Sequence, residues 1–554
     1  MRVCWVKLYL LAVAATLMAS QVAQAADESQ RLEERLPTIA KPGDEAAPPP
    51  VLAPATQADL ASFPEFTLQT VDIEGVTAFP VADTAVCTQG LAGKTVGAIE
   101  IVELTQCLTR LYRERGFFLS RAIVPPQEVV GGTLKVRVIE GYIAAVAPTG
   151  ISQAEADGQF ANALSERPGR LATFERALLL LADRAGHRIT TSQLAPDPND
   201  PARFTLVIGV EVTHVAWRLY GDNRGTEPHG PEQVLGSLAL NGLFGGSDRL
   251  ALQMFTAPTD TTELLYGDLN YARAWVAGAI WTEFGASASH SRDGDGPPLL
   301  APVSEVDRIY GRLIVPVLRA RTQSLWTHLA FDVRGTELYD PLGPDNDEVT
   351  SILRGSANYN VTIGDTRGDV MIELAHGLDA FGASQNGDPA LTRADARPQF
   401  TKVRLDASVQ HKLSDRWEFA LMAAGQVADG ALVAAEEFGG GGARFGRAYD
   451  YSEIVGDDGI AGSAEVRWNW RNAFDEAVAH LQLYAYVDAV RIWNIGADPF
   501  QQDDASLSSA GGGLRVTPVA GVLATLEVAK PWSRDVAAEG DRSPRIFVSL
   551  SLGW

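Results

Sequence analysis

The sequence predicts a membrane β-barrel of about 16 antiparallel strands, preceded by two small α/β domains and a short N-terminal helix. Alternating apolar and polar segments fill the chain after residue 213, whereas strand and helix patterns are mixed before it. No run of about 18 apolar residues exists, which excludes a helical membrane span. The 52 Gly, 11 Trp and 13 Tyr fit a β-rich majority with aromatic residues at membrane interfaces.

Residues 1–25 are predicted to be a signal peptide. Arg2 and Lys7 precede a short apolar run, and Ala23–Ala25 fits a cleavage site. A transmembrane helix is the alternative, but the run of about 12 residues falls short of the roughly 20 that a bilayer needs. Removing this segment changes the formal charge from −23 to −25, because it holds two basic and no acidic residues. So acidic a chain argues against nucleic-acid binding.

Residues 26–36 are predicted to form a short polar helix, because helix-forming residues extend to Leu36 and Pro37 stops them. A disordered N-terminus is the alternative, since so short a helix is marginal in isolation. Residues 37–64 form a Pro/Ala-rich linker with too few large apolar groups for a core.

Residues 65–140 are predicted to form the first α/β domain. Thr67–Glu74 alternates as a half-buried strand, and further strands are expected within Phe117–Val124 and at Thr133–Ile139. A helix lies between them and ends at Gly116. Its apolar face is formed by Ile101, Leu104, Leu108, Leu111 and Tyr112.

Residues 141–212 are predicted to form a second domain of the same kind. It has a strand at Tyr142–Val146, a helix at Phe174–Ala185 and strands at Arg188–Leu194 and Arg203–Glu211. Each domain has about 70 residues, enough for a modest core.

Two cysteines, Cys87 and Cys107, follow the predicted signal peptide. An even pair in an oxidising compartment can form a structural disulfide, which we favour. The alternative is two buried free thiols, because spacing alone does not establish disulfide geometry.

Residues 213–554 are predicted to form the barrel. Near the end, Ile546, Val548 and Leu550 face one way and the residues between them the other. Side chains in the segment from Leu481 alternate in the same way, which places Asp488 on the polar, inward side of its strand. A soluble β-sandwich is the alternative. Sandwiches, however, seldom contain so many consecutive strands without a continuous two-sided core pattern.

Three local motifs then carry a family resemblance. They are Leu111–Phe118, Val124–Gln127 and Val138–Tyr142. With the element order, they resemble the outer-membrane transporters of two-partner secretion, the haemolysin activation and filamentous haemagglutinin secretion type. This implies that the α/β units are POTRA domains. The residues that match the first POTRA domain and its junction are Tyr112, Gly116, Pro125, Gln127, Glu140 and Gly141.

The barrel start, Gly221–Thr226, and a Gly-rich segment, Phe438–Asp450, also resemble the family. The segment connects the predicted strands 11 and 12, where the family has a loop that folds into the pore. Consecutive glycines suit sharp turns in a crowded lumen. The residues that carry over at its tip are Gly446, Arg447 and Tyr449, whereas Ala448 replaces the usual glycine.

The resemblance implies that Arg447 pairs with Asp488 on the barrel wall. Glu465 is the nearest inward alternative for this contact. Physically, an arginine in a partly desolvated pore needs a carboxylate. The competing interpretation places Arg447 in a solvated surface loop, with Asp488 merely polarising the channel wall.

No enzyme motif, metal-ligand spacing or phosphate-binding loop with its usual context occurs, so no catalytic residue, metal or cofactor is predicted. The resemblance implies an outer-membrane pore with periplasmic POTRA domains that exports a secreted TpsA-type exoprotein. Outer-membrane lipids and the barrel-assembly machinery are its further expected partners, and nucleic acid is not. An insertase of the same superfamily is the alternative; porins and nutrient receptors lack this domain organisation.

The family's POTRA domains bind the exported protein, and β-augmentation at an exposed strand edge is a physical route. Thr133–Ile139 and Arg203–Val210 are the candidate edges. The helix within residues 26–36 resembles the family's pore plug.

Overall fold

The computed structural model describes residues 51–52, 64–245, 247–294, 301–341, 345–474, 478–496 and 503–553. The predicted signal peptide, the plug-like helix and most of the linker lie outside these ranges. Within them, no helix is long and apolar enough to cross a bilayer. The same ranges contain no group of three or more His, Cys, Asp or Glu side chains that would hold a metal ion.

The first domain packs one long helix against a small sheet. The strand order is β3-β6-β5, with β3 parallel and β5 antiparallel to β6. The disulfide Cys87–Cys107 joins α1 to α2. The elements, with β1 in the linker, are β1 (Val51–Leu52), β2 (Phe66–Thr67), β3 (Thr70–Glu74), α1 (Ala85–Thr88), β4 (Thr95–Val96), α2 (Ala98–Glu114), β5 (Arg121–Ile123) and β6 (Thr133–Ile139).

The predicted strand Thr67–Glu74 is two strands in the structure. Leu68 is buried between them, and its backbone N–H donates to the Lys94 carbonyl. The chain therefore changes hydrogen-bonding partner at Leu68, from β4 to β6.

The second domain has a sheet in the order β1-β8-β9-β7. Its core includes Phe160, Phe174 and Leu206. Two short helices, α3 and α4, were not predicted from the sequence. The elements are β7 (Tyr142–Thr149), α3 (Gln153–Gln159), α4 (Ala161–Ser165), α5 (Leu171–Ala182), β8 (His187–Pro196) and β9 (Arg203–Val212).

Both strands proposed as exposed edges are central, so that prediction was wrong. β6 lies between β3 and β5, and β9 lies between β8 and β7. The outer side of β8 is instead paired with the linker, because Val51 and Leu52 run parallel to Gln193 and Leu194.

In the described part of the chain, sixteen antiparallel strands form a closed barrel. The first and last strands pair at the closing seam over five residue pairs, from Arg218↔Gly553 to Asp222↔Ser549. The strands are β10 (Val215–Asp222), β11 (Gln233–Asn241), β12 (Asp248–Thr256), β13 (Leu264–Trp275), β14 (Ile280–Arg292), β15 (Val303–Arg319), β16 (Gln323–Tyr339), β17 (Asn346–Ile363), β18 (Thr366–Gly377), β19 (Thr401–Lys412), β20 (Trp417–Ala428), β23 (Asp458–Ala473), β24 (Val478–Trp493), β25 (Asp504–Thr517), β26 (Val522–Pro531) and β27 (Arg545–Gly553).

Side chains alternate between the outer surface and the lumen as the sequence predicts. Leu483 and Val487 are exposed on the outer surface, whereas Tyr484, Tyr486 and Asp488 are buried in the lumen. An apolar outer surface is required where the strands contact lipid, and a polar inner one where they line a channel.

Ion pairs fix the second domain to the barrel at the turn between β15 and β16. Asp183, just after α5, accepts hydrogen bonds from Arg319 Nε at 2.8 Å and Nη2 at 2.7 Å. Glu175 of α5 accepts from Arg321 Nε at 2.8 Å. Because the Asp183–Arg319 pair is bidentate and buried, it fixes orientation as well as position.

Candidate functional site in the barrel lumen

The loop between β20 and β23, the eleventh and twelfth barrel strands, folds back into the lumen. Its two arms pair as β21 (Phe438–Gly440) and β22 (Ile454–Gly456). At the tip, Gly446 has a φ of 77°, and a Cβ there would lie 2.4 Å from Leu507 Cδ1. The backbone therefore turns through a conformation that favours glycine, and a side chain at this position would also displace Leu507.

The Arg447 side chain is buried at the loop tip, with 3% of its surface exposed. Its Nη1 donates to Glu465 Oε2 at 2.7 Å and its Nη2 donates to Ser463 Oγ at 2.9 Å. Its Nε lies 3.5 Å from Asp488 Oδ2, and its backbone N–H donates to the same oxygen at 3.3 Å. The guanidinium also lies 3.8 Å from the centroid of the Tyr486 ring. Two carboxylates and an aromatic face thus compensate the buried cation.

Both carboxylates have further partners. Glu465 also accepts from Arg467 Nε at 2.6 Å and Arg515 Nη1 at 2.9 Å. Asp488 also accepts a hydrogen bond from the Ser509 hydroxyl. The loop arginine therefore makes its shorter contact with Glu465, the alternative in the sequence analysis, and a longer ion pair with Asp488.

Arg224 of the barrel-start motif reaches the same site. Its Nη1 donates to the Arg447 carbonyl at 3.1 Å, and its Nη2 donates to Glu527 Oε1 at 2.5 Å. Tyr449, on the other side of the tip, is buried and donates to the Ser508 carbonyl at 3.2 Å. The loop tip is therefore held by hydrogen bonds of its backbone and of the Arg447 and Tyr449 side chains.

Ala448, which departs from the family pattern, fits the tip without backbone strain. It is fully buried, and its φ is not in the left-handed region that favours glycine. Arg545 Nη1 donates to its carbonyl at 3.2 Å.

A second ionic cluster holds the neck of the loop. Glu436 accepts from Arg354 Nη1 and Nη2 at 2.9 and 2.6 Å, and Lys402 Nζ lies 2.9 Å from its carboxylate. Asp457, at the other end of the loop, accepts from Arg393 Nη1 at 2.7 Å. Sequence reasoning missed this cluster. Strand parity would have placed Arg354 and Lys402 inward, but it could not identify partners in a distant loop.

The POTRA signature residues lie at the junction of the two domains or stabilise the first. Glu140 accepts from Tyr112 Oη at 2.7 Å and from the backbone N–H groups of Thr77 and Ala78 at 2.7 and 2.9 Å. Burial raises the pKa of Glu140, but the hydrogen bonds outweigh it and hold that pKa below its usual range. Burial and the contact with Glu140 raise the pKa of Tyr112.

The remaining signature residues act through the backbone. The Gln127 side-chain amide donates to the Lys135 carbonyl at 2.7 Å and accepts from the Lys135 N–H at 2.8 Å. These are the two backbone groups with which a neighbouring strand would form hydrogen bonds. It also donates to the Pro125 carbonyl at 3.3 Å. Gly116 ends α2 with a φ of 87°, and a Cβ on Gly141 would lie 2.5 Å from the Leu119 carbonyl oxygen.

Two family models match parts of the chain. The POTRA domain of ShlB type matches residues 66–141, and the haemolysin secretion/activation protein ShlB/FhaC/HecB matches residues 345–516. The first match covers the first α/β domain. The second contains the infolded loop and both of its wall carboxylates.

Relatives cover most of the chain. The outer membrane transporter CdiB of Dickeya dadantii (strain 3937) is 22% identical over 503 residues, 87% of this chain and 85% of the relative. The heme/hemopexin transporter protein HuxB of Haemophilus influenzae (strain 86-028NP) is 21% identical over 473 residues, 80% and 79% respectively. The solved structure of CdiB from Escherichia coli has the same fold, with a TM-score of 0.71 at 19% identity and 98% coverage of both chains. These matches support the resemblance of the chain to the outer-membrane transporters of two-partner secretion.

Replacing Arg447 by alanine should release the loop. The Arg447→Ala change leaves Glu465 and Asp488 without their loop cation, and breaking a buried pair costs about 3 kcal/mol or more. Amide hydrogen exchange of residues 438–456, measured by mass spectrometry, should accelerate about hundredfold. Arg491→Ala, which removes an exposed pair with Asp504, is the control and should leave the loop unchanged. Equal exchange in both variants would contradict the anchoring role.

Replacing Glu140 by glutamine should destabilise the first domain at neutral pH but not in acid. Because folding lowers the pKa of Glu140, its stabilisation is complete above the unfolded pKa of about 4.3 and is lost as pH falls through the lower folded value. Urea-dependent proteolysis of residues 66–141 should show a gap between wild type and Glu140→Gln at pH 7 that narrows as the pH falls below the unfolded pKa. Glu74→Gln, at an exposed and loose ion pair, should show no such gap. A gap that persists unchanged in acid would refute this assignment.

Proposed function

We propose that this chain exports one large, unfolded, β-rich exoprotein, which its POTRA domains receive in the periplasm and its barrel passes to the cell surface. The supporting observation is that the infolded loop lies against one side of the barrel lumen. Its tip is held on β23, β24 and β25, and a cavity of about 1650 Å³ runs along β10 to β19 and touches β25, β26 and β27 only near their ends. The cavity extends from Asp183 in the second domain to Glu436 at the loop neck. Such a cavity provides a route that begins where the periplasmic domains are docked.

The outer side of β8 is the capture site that we propose in the second domain. β8 has ten residues, and Val51 and Leu52 of the linker already pair with it in parallel. An edge that accepts one extended segment offers the same main-chain hydrogen bonds to another, with little demand on its sequence. We propose that the partner displaces the linker from this edge.

The insertase alternative lacks comparable support, because the second family match is to secretion proteins. Outer-membrane lipids around the apolar outer surface, and the barrel-assembly machinery during biogenesis, complete the proposed set of partners.

Deleting the gene should remove one large protein from the culture medium, and the wild-type chain should restore it. The Arg447→Ala variant, produced at wild-type level, tests whether the loop contributes to export. Analysis of secreted and outer-membrane proteins by mass spectrometry provides the measurement. Normal secretion together with defective assembly of other barrels would overturn this proposal in favour of the insertase.

A cross-link between the linker and β8 should block export reversibly. Val51→Cys with Gln193→Cys places two cysteines at paired positions, and Gln193 is exposed. After oxidation we expect secretion to fall about tenfold, because main-chain pairing at this edge is then closed to the partner. Mild reductant should restore it. Each single-cysteine variant, and wild type with the same reductant, are the controls; undiminished export by the cross-linked protein would exclude displacement.

A further inference from the structure

The end of the barrel that binds the second domain has short turns that expose large apolar side chains. We call it the turn end; its turns join β11 to β12, β13 to β14, β15 to β16, β17 to β18, β19 to β20, β23 to β24 and β25 to β26. Turns in water are usually built from Gly, Pro, Asn, Asp and Ser. Here the described turns, with their adjoining strand ends, include six large apolar side chains that are 56–72% exposed. They are Phe244, Val276, Ile363, Leu413, Phe474 and Val519.

The long loops at the opposite end of the barrel differ from these turns. Although the loops are much longer, their described parts and adjoining strand ends expose four large apolar or aromatic residues, which are Tyr339, Phe381, Trp493 and Trp532. Three of these four are Tyr or Trp, whose rings carry a polar group, whereas the six residues of the turn end carry none. The two ends of the barrel therefore meet different surroundings.

Two of the turn residues have backbone conformations that favour glycine. Val276 and Phe474 have φ values of 47° and 54°. A β-branched or aromatic residue is costly in this left-handed region. Burial of the side chain in an apolar medium outside the chain would offset that cost.

The length of the apolar band on the outer surface brings the membrane boundary to the turn end. On β15 the exposed residues are charged at Glu305 and Asp307, whereas Ile309, Leu313 and Val317 further along the strand are apolar. The segment from Ile309 to Val317 has nine residues. A tilted transmembrane strand needs about 9 to 11 residues, so the whole segment is required to cross the bilayer. The membrane therefore reaches Val317, close to the turn that binds the second domain.

Tryptophans lie beside the turns at the level where lipid headgroups are expected. Trp275 and Trp417 are at the ends of β13 and β20 that adjoin a turn, and the Trp470 ring centroid lies 4.9 Å from that of Phe474. These three tryptophans are 38–48% exposed. Tryptophan is enriched at membrane–water interfaces, where its ring is partly in lipid and its N–H is in water. The apolar turn residues thus continue the lipid-facing wall of the barrel.

We propose that the apolar residues of the turn end lie within the phospholipid interface of the periplasmic leaflet. The occupant is a bilayer and not a protein, because the exposed residues are spread over turns from β11–β12 to β25–β26 and continue the lipid-facing wall. A protein partner would cover one side of the barrel, whereas a membrane surrounds it. The second domain, which binds the turn between β15 and β16, is then held against the leaflet. This inference depends on the outer-membrane location and not on the proposed export.

The test uses the mature full-length chain in phosphatidylcholine vesicles, with the fluorophore NBD on one introduced cysteine. Phe244→Cys, Ile363→Cys and Leu413→Cys can each be labelled alone, because Cys87 and Cys107 are joined in a disulfide. NBD emission at these positions should shift to the blue, and acyl-chain bromination of the lipid should quench it. Quenching by iodide should be about fivefold weaker than for a label in water, because an interfacial group is shielded from the aqueous anion.

Val130→Cys is the matched control. Val130 is also apolar and is 76% exposed, but it lies in the first periplasmic domain. Its label should be quenched fully by iodide and not by brominated lipid.

A second measurement uses the protein without substitutions, in case a cysteine variant does not fold. Phosphatidylcholine with a photoactivatable diazirine near the glycerol should form adducts, detected by mass spectrometry, on peptides that contain Phe244, Ile363 or Leu413. The peptide that contains Val130 should remain free of adducts. Turn labels as accessible to iodide as the Val130→Cys label, or turn peptides without adducts, would refute the inference. Blue-shifted emission that brominated lipid does not quench would show that protein covers the turns, which would also refute it.

Discussion

The architecture of the pore depends on one constraint, which is that a guanidinium buried in the barrel lumen must be matched by carboxylates. Arg447 meets Glu465 and Asp488 because β23 and β24 run side by side in a register that turns both acids inward. A one-residue slip of either strand would turn its acid towards lipid. Barrel register and loop position are therefore coupled, and the infolded loop is part of the barrel's structure.

The loop divides the lumen into two unlike walls. The wall that holds its tip supplies acids for the loop arginine, whereas the opposite wall is rich in arginine and lines the cavity. The neck cluster around Glu436 lies at the boundary, where Arg354 and Lys402 of the cavity wall reach the loop. Movement of the loop would therefore expose carboxylates on one side and release cations on the other.

The periplasmic domains are joined to each other and to the barrel by polar contacts with little freedom. The Leu171 N–H of the second domain donates to the Gly116 carbonyl of the first at 2.9 Å, and Asp183 binds Arg319 in bidentate geometry at the barrel. Directional contacts of this kind fix angles as well as distances. They hold the first residues of β8, His187 and Arg188, at the lining of the cavity, so the proposed capture edge and the proposed route are adjacent.

The sequence by itself determined the barrel, the helix α2, the mixed strand and helix pattern of the preceding region and the Gly-rich loop between strands 11 and 12. These features follow from local periodicity and from residues with special backbone freedom. Tertiary structure alone decided that β6 and β9 are central, that β8 carries the linker and that Arg447 lies closer to Glu465 than to Asp488. It also decided the neck cluster, whose members Arg354 and Glu436 are 82 residues apart. The physical reason is that sheet order and ion-pair choice depend on contacts between distant segments, which a local pattern does not encode.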